Sequence, residues 1–225
     1  QKILCGDQLA GARLMRLIEE GKPEGIEMLK LLYPSTGNSH IIGVTGPPGS
    51  GKSTLVNGII SEFRQSGIKV AVVAIDPSSP ISGGALLGDR IRMRRHSEDE
   101  GVFIRSMATR GHLGGLSRTT RETTQVFDAM GFEVIIIETV GVGQGEVDIA
   151  QLAHTSAVVS LPGTGDEIQT MKAGLLEIGD IMIVNKADRP GADELVEQLR
   201  MMLAMKPAPD NGWHPPVIKT IAIKK

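Results

Sequence analysis

Cysteine is almost absent from this sequence: Cys5 is the only one among 225 residues. A single cysteine excludes an internal disulfide and any cysteine-based metal cluster within the chain. It favours a reducing compartment, which is the cytoplasm, or the mitochondrial matrix if the source is eukaryotic. The five histidines are scattered, and no two of them have metal-binding spacing.

A strong charge of one sign and long hydrophobic runs are also missing. The formal net charge is −2, so there is no electrostatic case for nucleic acid or an anionic membrane as the main partner. No apolar run approaches the roughly 18 residues needed to span a bilayer. With 40% hydrophobic residues, the composition predicts one large globular domain, or one domain with an appendage.

The stretch over residues 40–56 has the pattern of a phosphate-binding loop. A short apolar run precedes Gly46-x-x-x-x-Gly51-Lys52-Ser53, and a helical pattern follows, which is the strand, loop and helix context that this motif requires. The glycines let backbone N–H groups point at phosphate oxygens, beside a helix N-terminus that favours anions. Lys52 is predicted to reach the β- and γ-phosphates, Ser53 to bind Mg²⁺ and Thr54 to meet the α-phosphate. The predicted nucleotide-binding residues of this loop are Gly46, Pro47, Pro48, Gly49, Ser50, Gly51, Lys52, Ser53 and Thr54.

Three carboxylates are candidates for holding Mg²⁺ or the attacking water. Asp76 follows an apolar strand predicted over 69–75, and ligands of open α/β sheets bind outside the carboxyl ends of the strands. Glu138 likewise closes the most hydrophobic strand, and Gly141 behind it is predicted to offer its N–H to the γ-phosphate. Asp89 lies in a glycine-rich segment as a further candidate. The predicted catalytic residues are Lys52, Asp76, Asp89 and Glu138, and the predicted metal ligands are Ser53, Asp76, Asp89 and Glu138.

The sequence Asn185-Lys186-Ala187-Asp188 follows an apolar strand and indicates guanine recognition. An aspartate carboxylate accepts two hydrogen bonds from the ring N–H and exocyclic amine of guanine, and adenine cannot supply that pair. Asn185 is expected to brace the loop and Lys186 to pack its stem over the base. The last predicted strand, over 217–223, contributes Thr220, Ile221 and Ala222, whose backbone groups are expected to cover the guanine.

The remaining patterns predict an α/β protein of the P-loop NTPase class with a doubly wound, mostly parallel sheet. Apolar stripes at helical spacing predict two short helices within 7–33, with Pro23 starting the second. The predicted domains are a short helical N-terminal extension, 1–36, and a P-loop GTPase domain, 37–225. Further strands are predicted at 102–105, 133–137, 156–161 and 180–184. Helices are predicted at 52–65, 117–130 and 191–203, and another helix is predicted to end at about residue 176.

Six motifs stand out between residues 41 and 188: G-P-P-G-S-G-K-S-T, V-A-I-D-P-S-S-P, G-G-A-L-L-G-D-R-I-R-M, M-A-T-R-G-H-L-G-G-L-S, E-T-V-G-V-G-Q and N-K-A-D. As a set they resemble the MeaB family, the accessory GTPases of adenosylcobalamin-dependent methylmalonyl-CoA mutase. The resemblance implies a homodimeric GTPase of the SIMIBI class that uses GTP, GDP and Mg²⁺. It implies moving segments at 81–94, 141–148 and 161–172, the third facing the mutase. The implied function is to gate adenosylcobalamin loading and to protect or reactivate methylmalonyl-CoA mutase or a related acyl-CoA mutase.

Two departures qualify this resemblance. Val142 follows Gly141 where Ras-like GTPases carry the glutamine that orients water, and Gln144 is displaced. Slow intrinsic hydrolysis is therefore expected, with a partner completing the site. The group that a partner supplies can raise the rate of hydrolysis by roughly 10³–10⁵. In addition, family members continue beyond the position of Lys225 with a dimerisation arm, which we expect this chain to lack.

Three other functions remain as alternatives. A nickel-insertion GTPase of the same class would call for cysteine and histidine clusters. A small-molecule kinase would need a substrate pocket and no guanine selectivity, which Asn185 to Asp188 argue against. An inert nucleotide-binding module would not need Lys52, Asp76 and Glu138. The sequence does not distinguish between methylmalonyl-CoA mutase and related mutases as the partner.

Overall fold

The computed structural model describes residues 1–76, 96, 98–108, 113–139, 152–163, 173–205 and 212–223. Within them no helix is long and apolar enough to cross a membrane. The helices are α1 (Gln8–Glu19), α2 (Pro23–Leu32), a 3₁₀ turn (Tyr33–Ser35), α3 (Lys52–Gln65), α4 (Leu113–Ala129), α5 (Ala173–Ile178) and α6 (Ala192–Ala204). The strands are β1 (His40–Thr45), β2 (Val70–Asp76), β3 (Val102–Ala108), β4 (Val134–Thr139), β5 (Thr155–Ser160), β6 (Ile181–Asn185) and β7 (Val217–Thr220).

The strands form one seven-stranded sheet in the order β3-β2-β4-β1-β5-β6-β7. The pairs β2–β3, β1–β5, β5–β6 and β6–β7 are parallel, with Val44 opposite Ala157 and Asn185 opposite Thr220. The strand order runs outward in both directions from the middle of the sheet, which confirms the predicted doubly wound P-loop NTPase fold. Such a reversal of strand order places the loop that follows β1 at the usual ligand-binding position.

Three predicted boundaries are wrong by three or four residues, each for a local reason, and the others differ by two at most. Strand β3 extends three residues beyond 105 because Ser106, Met107 and Ala108 continue the pairing with β2. Helix α4 begins at Leu113 rather than 117, since glycine costs a helix only about 1 kcal/mol and does not forbid it. Strand β7 ends at Thr220 because the backbone N–H of Ala222 donates to the side chain of Asn185 instead.

Two compact units divide the chain: Gln1–Ile41 with Ile59–Ile137, and Ile42–Gly58 with Glu138–Lys225. The domain boundary at residue 36 therefore stays a prediction. In the first unit, α1 and α2 both pack on α4, and Pro23 begins α2 as predicted. An aromatic cluster lies in this unit, with the ring of Phe127 5.2 Å from that of Phe103 and 5.5 Å from that of Phe132, both edge-on.

One carboxylate in the first unit fixes the connection between the N-terminal helices and β1. The side chain of Asp128, on α4, accepts hydrogen bonds from the backbone N–H groups of Gly37, Asn38 and Ser39 at 2.5–3.2 Å. The hydroxyl of Ser39 is buried and donates to the carbonyl of Phe132. The connection between the N-terminal helices and β1 is therefore held in place by its backbone N–H groups.

An ion pair between Arg64 and Asp99 in this unit predicts that the stability of the protein depends on pH. Arg64 donates to both carboxylate oxygens of Asp99, at 2.9 and 3.0 Å, and these bonds lower the pKa of Asp99. A folded pKa below the unfolded one means that the stabilisation is complete above the unfolded pKa, about 3.9, and is lost as the pH falls through the folded value. We expect Asp99→Asn to lower the free energy of unfolding by about 1–2 kcal/mol at pH 7 and by less at pH 3, measured by urea unfolding at both pH values.

The matched control for this prediction is Glu197→Gln. Glu197 forms an exposed ion pair with Arg200, whose side chains are 60% and 58% accessible, and exposed pairs of this kind contribute little. We expect no measurable change at either pH. An effect of Asp99→Asn that is equally large at pH 3 and pH 7 would contradict the assignment to the charged pair.

The second unit has its own hydrophobic core beneath β5, β6 and β7. Helix α6 supplies Leu195, Val196 and Leu199, which pack against Val158 of β5 and Met182 of β6. The apolar residues of α6 recur at helical spacing, so one face of this helix is buried while the other carries charges. This core supports β5 and β6, and the candidate site lies at their carboxyl ends.

Candidate nucleotide-binding site

The loop between β1 and α3 has the curled backbone that the glycine pattern predicts. Gly46, Gly49 and Gly51 have φ values of 140°, 77° and 91°, which side-chain-bearing residues rarely adopt. Neighbouring elements also approach two of them closely. A Cβ at Gly46 would lie 2.0 Å from the carbonyl oxygen of Val159, and one at Gly51 would lie 2.4 Å from Nδ2 of Asn185. The glycine pattern predicts the curled backbone but not these contacts.

Lys52 begins α3 and turns back over the loop. Its side chain is buried, and its ammonium donates to the carbonyls of Gly46 at 2.8 Å and Pro47 at 3.0 Å. Pro48, Gly49 and Thr54 are exposed. The arrangement places a cation and a helix N-terminus on the same loop, which suits the binding of an anion.

Ser53 and Glu138 meet beside this loop. The hydroxyl of Ser53 donates to Oε1 of Glu138 at 2.6 Å, and Glu138 is only 3% exposed although it is the last residue but one of β4. Hydroxyl and carboxylate oxygens are ligands that Mg²⁺ prefers, so this pair fits the predicted metal site. Asp76 ends β2. Asp89 and Gly141 lie outside the described residues.

Asn185 joins the phosphate loop to the end of the last strand. Its side-chain amide donates to the carbonyl of Ser50 at 2.7 Å. Its carbonyl accepts from the hydroxyl of Thr220 and from the backbone N–H of Ala222, both at 3.1 Å. One buried side chain thus fixes the position of Ser50 relative to the 220–222 segment. The sequence predicts that Asn185 holds this loop in place, but it does not predict that Thr220 and Ala222 are its hydrogen-bond partners.

Lys186 and Asp188 follow in a sharp turn. Lys186 has a φ of 57°, the left-handed conformation that is uncommon outside glycine and often found at functional sites. Its ammonium donates to the carbonyl of Gly49 at 2.7 Å. The N–H of Ala187 donates to the carbonyl of Thr220 at 3.0 Å, while Asp188 is exposed. The structure therefore brings Asn185, Lys186 and the phosphate loop together and leaves the carboxylate of Asp188 accessible. Ile221 lies between the two residues that bind Asn185, and it is half-buried.

A parallel sheet with a phosphate loop after its central strand, and an Asn-Lys-x-Asp turn joined to that loop, defines a P-loop NTPase of the GTPase class. A family described as Methylmalonyl Co-A mutase-associated GTPase MeaB matches residues 11–225. The chain belongs to this family and is one of its GTPases. The resemblance stated from the motifs is therefore confirmed.

Individual proteins are also similar to this chain. A protein of Pyrococcus abyssi named as a GTPase is 54% identical over 224 residues, which are 99% of this chain and 69% of that protein. The mitochondrial methylmalonic aciduria type A homolog of Mus musculus is 37% identical over 188 residues, 80% of this chain and 44% of that protein. The crystal structure of an LAO/AO transport system kinase superposes with a TM-score of 0.79 at 28% identity, over 99% of this chain and 67% of that one.

Proposed function

We propose that this GTPase binds GTP with Mg²⁺ at the site described above and hydrolyses it slowly on its own. The two nucleotide states gate the loading of adenosylcobalamin onto an acyl-CoA mutase and protect or reactivate that enzyme. Methylmalonyl-CoA mutase is the first choice of partner. The observation that carries the nucleotide part is Asn185, which ties the phosphate loop at Ser50 to the segment expected to cover the base.

Each residue of the site has a role in this proposal. Lys52 binds the β- and γ-phosphates, and Thr54 the α-phosphate. Asp188 accepts hydrogen bonds from guanine, while Gly141 donates to the γ-phosphate. The metal ligands are Ser53, Glu138, Asp76 and Asp89, and Mg²⁺ held there would neutralise charge on the phosphates. The burial of Glu138 against Ser53 supports its part of this assignment.

The partner is proposed from the family and from one relative. The family description contains the words methylmalonyl-CoA mutase-associated, and the murine relative is named after methylmalonic aciduria. A homodimer in a reducing compartment is proposed together with this partner. Among the described residues no group of three or more His, Cys, Asp or Glu side chains could hold a metal ion, and Cys5 is exposed.

The proposal is tested by measuring phosphate release from GTP and from ATP, with and without an adenosylcobalamin-dependent acyl-CoA mutase. We expect slow hydrolysis that is selective for GTP and that the mutase accelerates at least tenfold, because a partner that completes such a site contributes up to roughly 10³–10⁵ in rate. The variant Lys52→Ala is the control. It should release no phosphate with or without the mutase, which shows that the signal arises at this site.

Two outcomes would reject different parts of the proposal. If GTP hydrolysis is unchanged by methylmalonyl-, isobutyryl- and ethylmalonyl-CoA mutases, the partner is wrong. If ATP is used as well as GTP, the role of Asp188 is wrong, and a kinase using the same loop becomes the better interpretation.

A further inference from the structure

Two buried threonines meet where β1 and β4 leave the sheet. Thr45 is the last residue of β1, and Thr139 is the last residue of β4. They are 2% and 4% exposed. The hydroxyl of Thr139 donates to the hydroxyl oxygen of Thr45 at 3.2 Å. Neither residue belongs to the set predicted from the sequence to bind nucleotide or metal.

Packing alone does not require that the pair be threonine. The residues just before it in each strand include Val44 and Ile137, which are fully buried, and valine has the same shape as threonine. A buried hydroxyl costs free energy unless it forms a hydrogen bond, and replacing both partners of such a bond by apolar groups is often neutral or even stabilising. The two threonines therefore contribute little net stability. Their hydrogen bond instead constrains geometry, because it forms only when the ends of β1 and β4 lie at one relative position.

This hydrogen bond joins two residues that are direct neighbours, in the chain, of the candidate phosphate-binding and metal-binding residues. Thr45 immediately precedes Gly46, whose carbonyl accepts from Lys52. Thr139 immediately follows Glu138, which accepts from Ser53. Because successive side chains of a strand point to opposite faces of a sheet, the end of β4 is held on one face by Glu138 and on the other by Thr139.

We infer that Thr45 and Thr139 are positioning residues for GTP hydrolysis. Their hydrogen bond holds the carboxyl end of β4 in place relative to the phosphate loop. It thereby keeps Glu138 against Ser53 and fixes the point from which the chain continues toward Gly141. The inference rests on the proposed function, since it assigns a role within hydrolysis at that same site.

The test compares Thr139→Val, Thr45→Val, the double variant and Thr139→Ser, by kcat and KM for GTP and by thermal unfolding. Each single valine variant leaves one buried hydroxyl without its partner, so we expect a lower Tm together with a kcat about tenfold lower and a KM within about twofold of wild type. A misplacement of reacting groups by 1 Å can cost up to about 100-fold. Thr139→Ser retains the hydroxyl and should retain most of kcat.

The double valine variant separates positioning from stability. Without an unpaired hydroxyl its Tm should return to the wild-type value or above, while its kcat should remain about tenfold lower. A double variant that recovers kcat together with Tm overturns the inference, because the pair would then be only structural. A loss in Thr139→Ser equal to that in Thr139→Val overturns it as well.

Thr123→Val is the matched control. Thr123 lies on α4, it is fully buried, and within the described part of the chain its hydroxyl has no hydrogen-bond partner. The same substitution there should leave kcat unchanged and should not lower the Tm. If the wild-type protein does not hydrolyse GTP, both the proposed function and this inference fail. If it does hydrolyse GTP and the threonine variants match it, only the inference fails.

Discussion

Substituting Asp188 with asparagine is expected to weaken GDP and GTP binding by at least 100-fold and to leave the fold intact. The carboxylate is exposed at the end of the Asn185 turn, so it does not support the core. Two hydrogen bonds from guanine to a charged acceptor would be lost, each contributing about 1.5–3 kcal/mol. The amide that replaces the carboxylate would also present N–H groups to the N–H groups of guanine. Titration with a fluorescent GDP analogue measures the change.

The same substitution should create affinity for xanthine nucleotides. Xanthine has a carbonyl where guanine has the exocyclic amine, and the asparagine amide can donate to it. Competition with xanthosine diphosphate therefore distinguishes altered recognition from general damage. Asp193→Asn is the matched control, since Asp193 is an exposed aspartate of the same unit that pairs with Lys219 at 2.8 Å. It should bind GDP as the wild type does. A variant at Asp188 whose GDP affinity stays within threefold of wild type would refute the guanine argument.

The sequence predicts the fold well because the fold depends on repeated patterns. Strands β4 and β6 are continuous apolar runs, as strands buried on both faces must be, and both appear close to the predicted positions. The class of fold follows from a phosphate motif placed between a strand and a helix. The element ends are less predictable, because they depend on single contacts such as that between Ala222 and Asn185.

Motifs predict the residues of the candidate site one by one, but they do not predict the contacts between those residues. No pattern in the sequence shows that the amide of Asn185 reaches Ser50, or that Lys186 takes a left-handed conformation in order to reach Gly49. The two residues of each contact are more than 130 positions apart in the chain. Thr45 and Thr139 likewise look like ordinary strand residues until their register is known.

Replacing Gly46 with alanine is expected to have the largest effect on stability among the loop glycines. Its Cβ would lie 2.0 Å from the carbonyl oxygen of Val159, which is backbone of a central strand and cannot move aside. The φ of 140° is also unfavourable for alanine. We expect the free energy of unfolding to fall by about 2–4 kcal/mol, hence the Tm by about 5–15 °C for a chain of this size, with loss of measurable GDP binding.

Alanine substitutions at Gly49 and Gly58 separate the cost of a steric contact from the cost of an unfavourable backbone conformation. At Gly49 a Cβ would meet nothing within 4 Å, but φ is 77°, so Gly49→Ala should cost only the conformational term, about 1–2 kcal/mol. At Gly58, in helix α3, there is neither a contact nor a positive φ, and alanine there should stabilise by about 0.5–1 kcal/mol. The predicted order of Tm is therefore Gly58→Ala above wild type, then Gly49→Ala, then Gly46→Ala.

Gly51→Ala combines backbone strain in the loop, where φ is 91°, with a clash against the side chain of Asn185. Its Cβ would lie 2.4 Å from Nδ2 of Asn185, a side-chain atom that can withdraw, but only by giving up its bond to Ser50. We therefore expect a smaller fall in Tm than for Gly46→Ala, together with a loss of GDP affinity of at least tenfold. If Gly51→Ala binds GDP normally, the Asn185 brace does not position the nucleotide. If Gly46→Ala melts at the wild-type temperature, the close approach of β5 to the loop does not exist in solution.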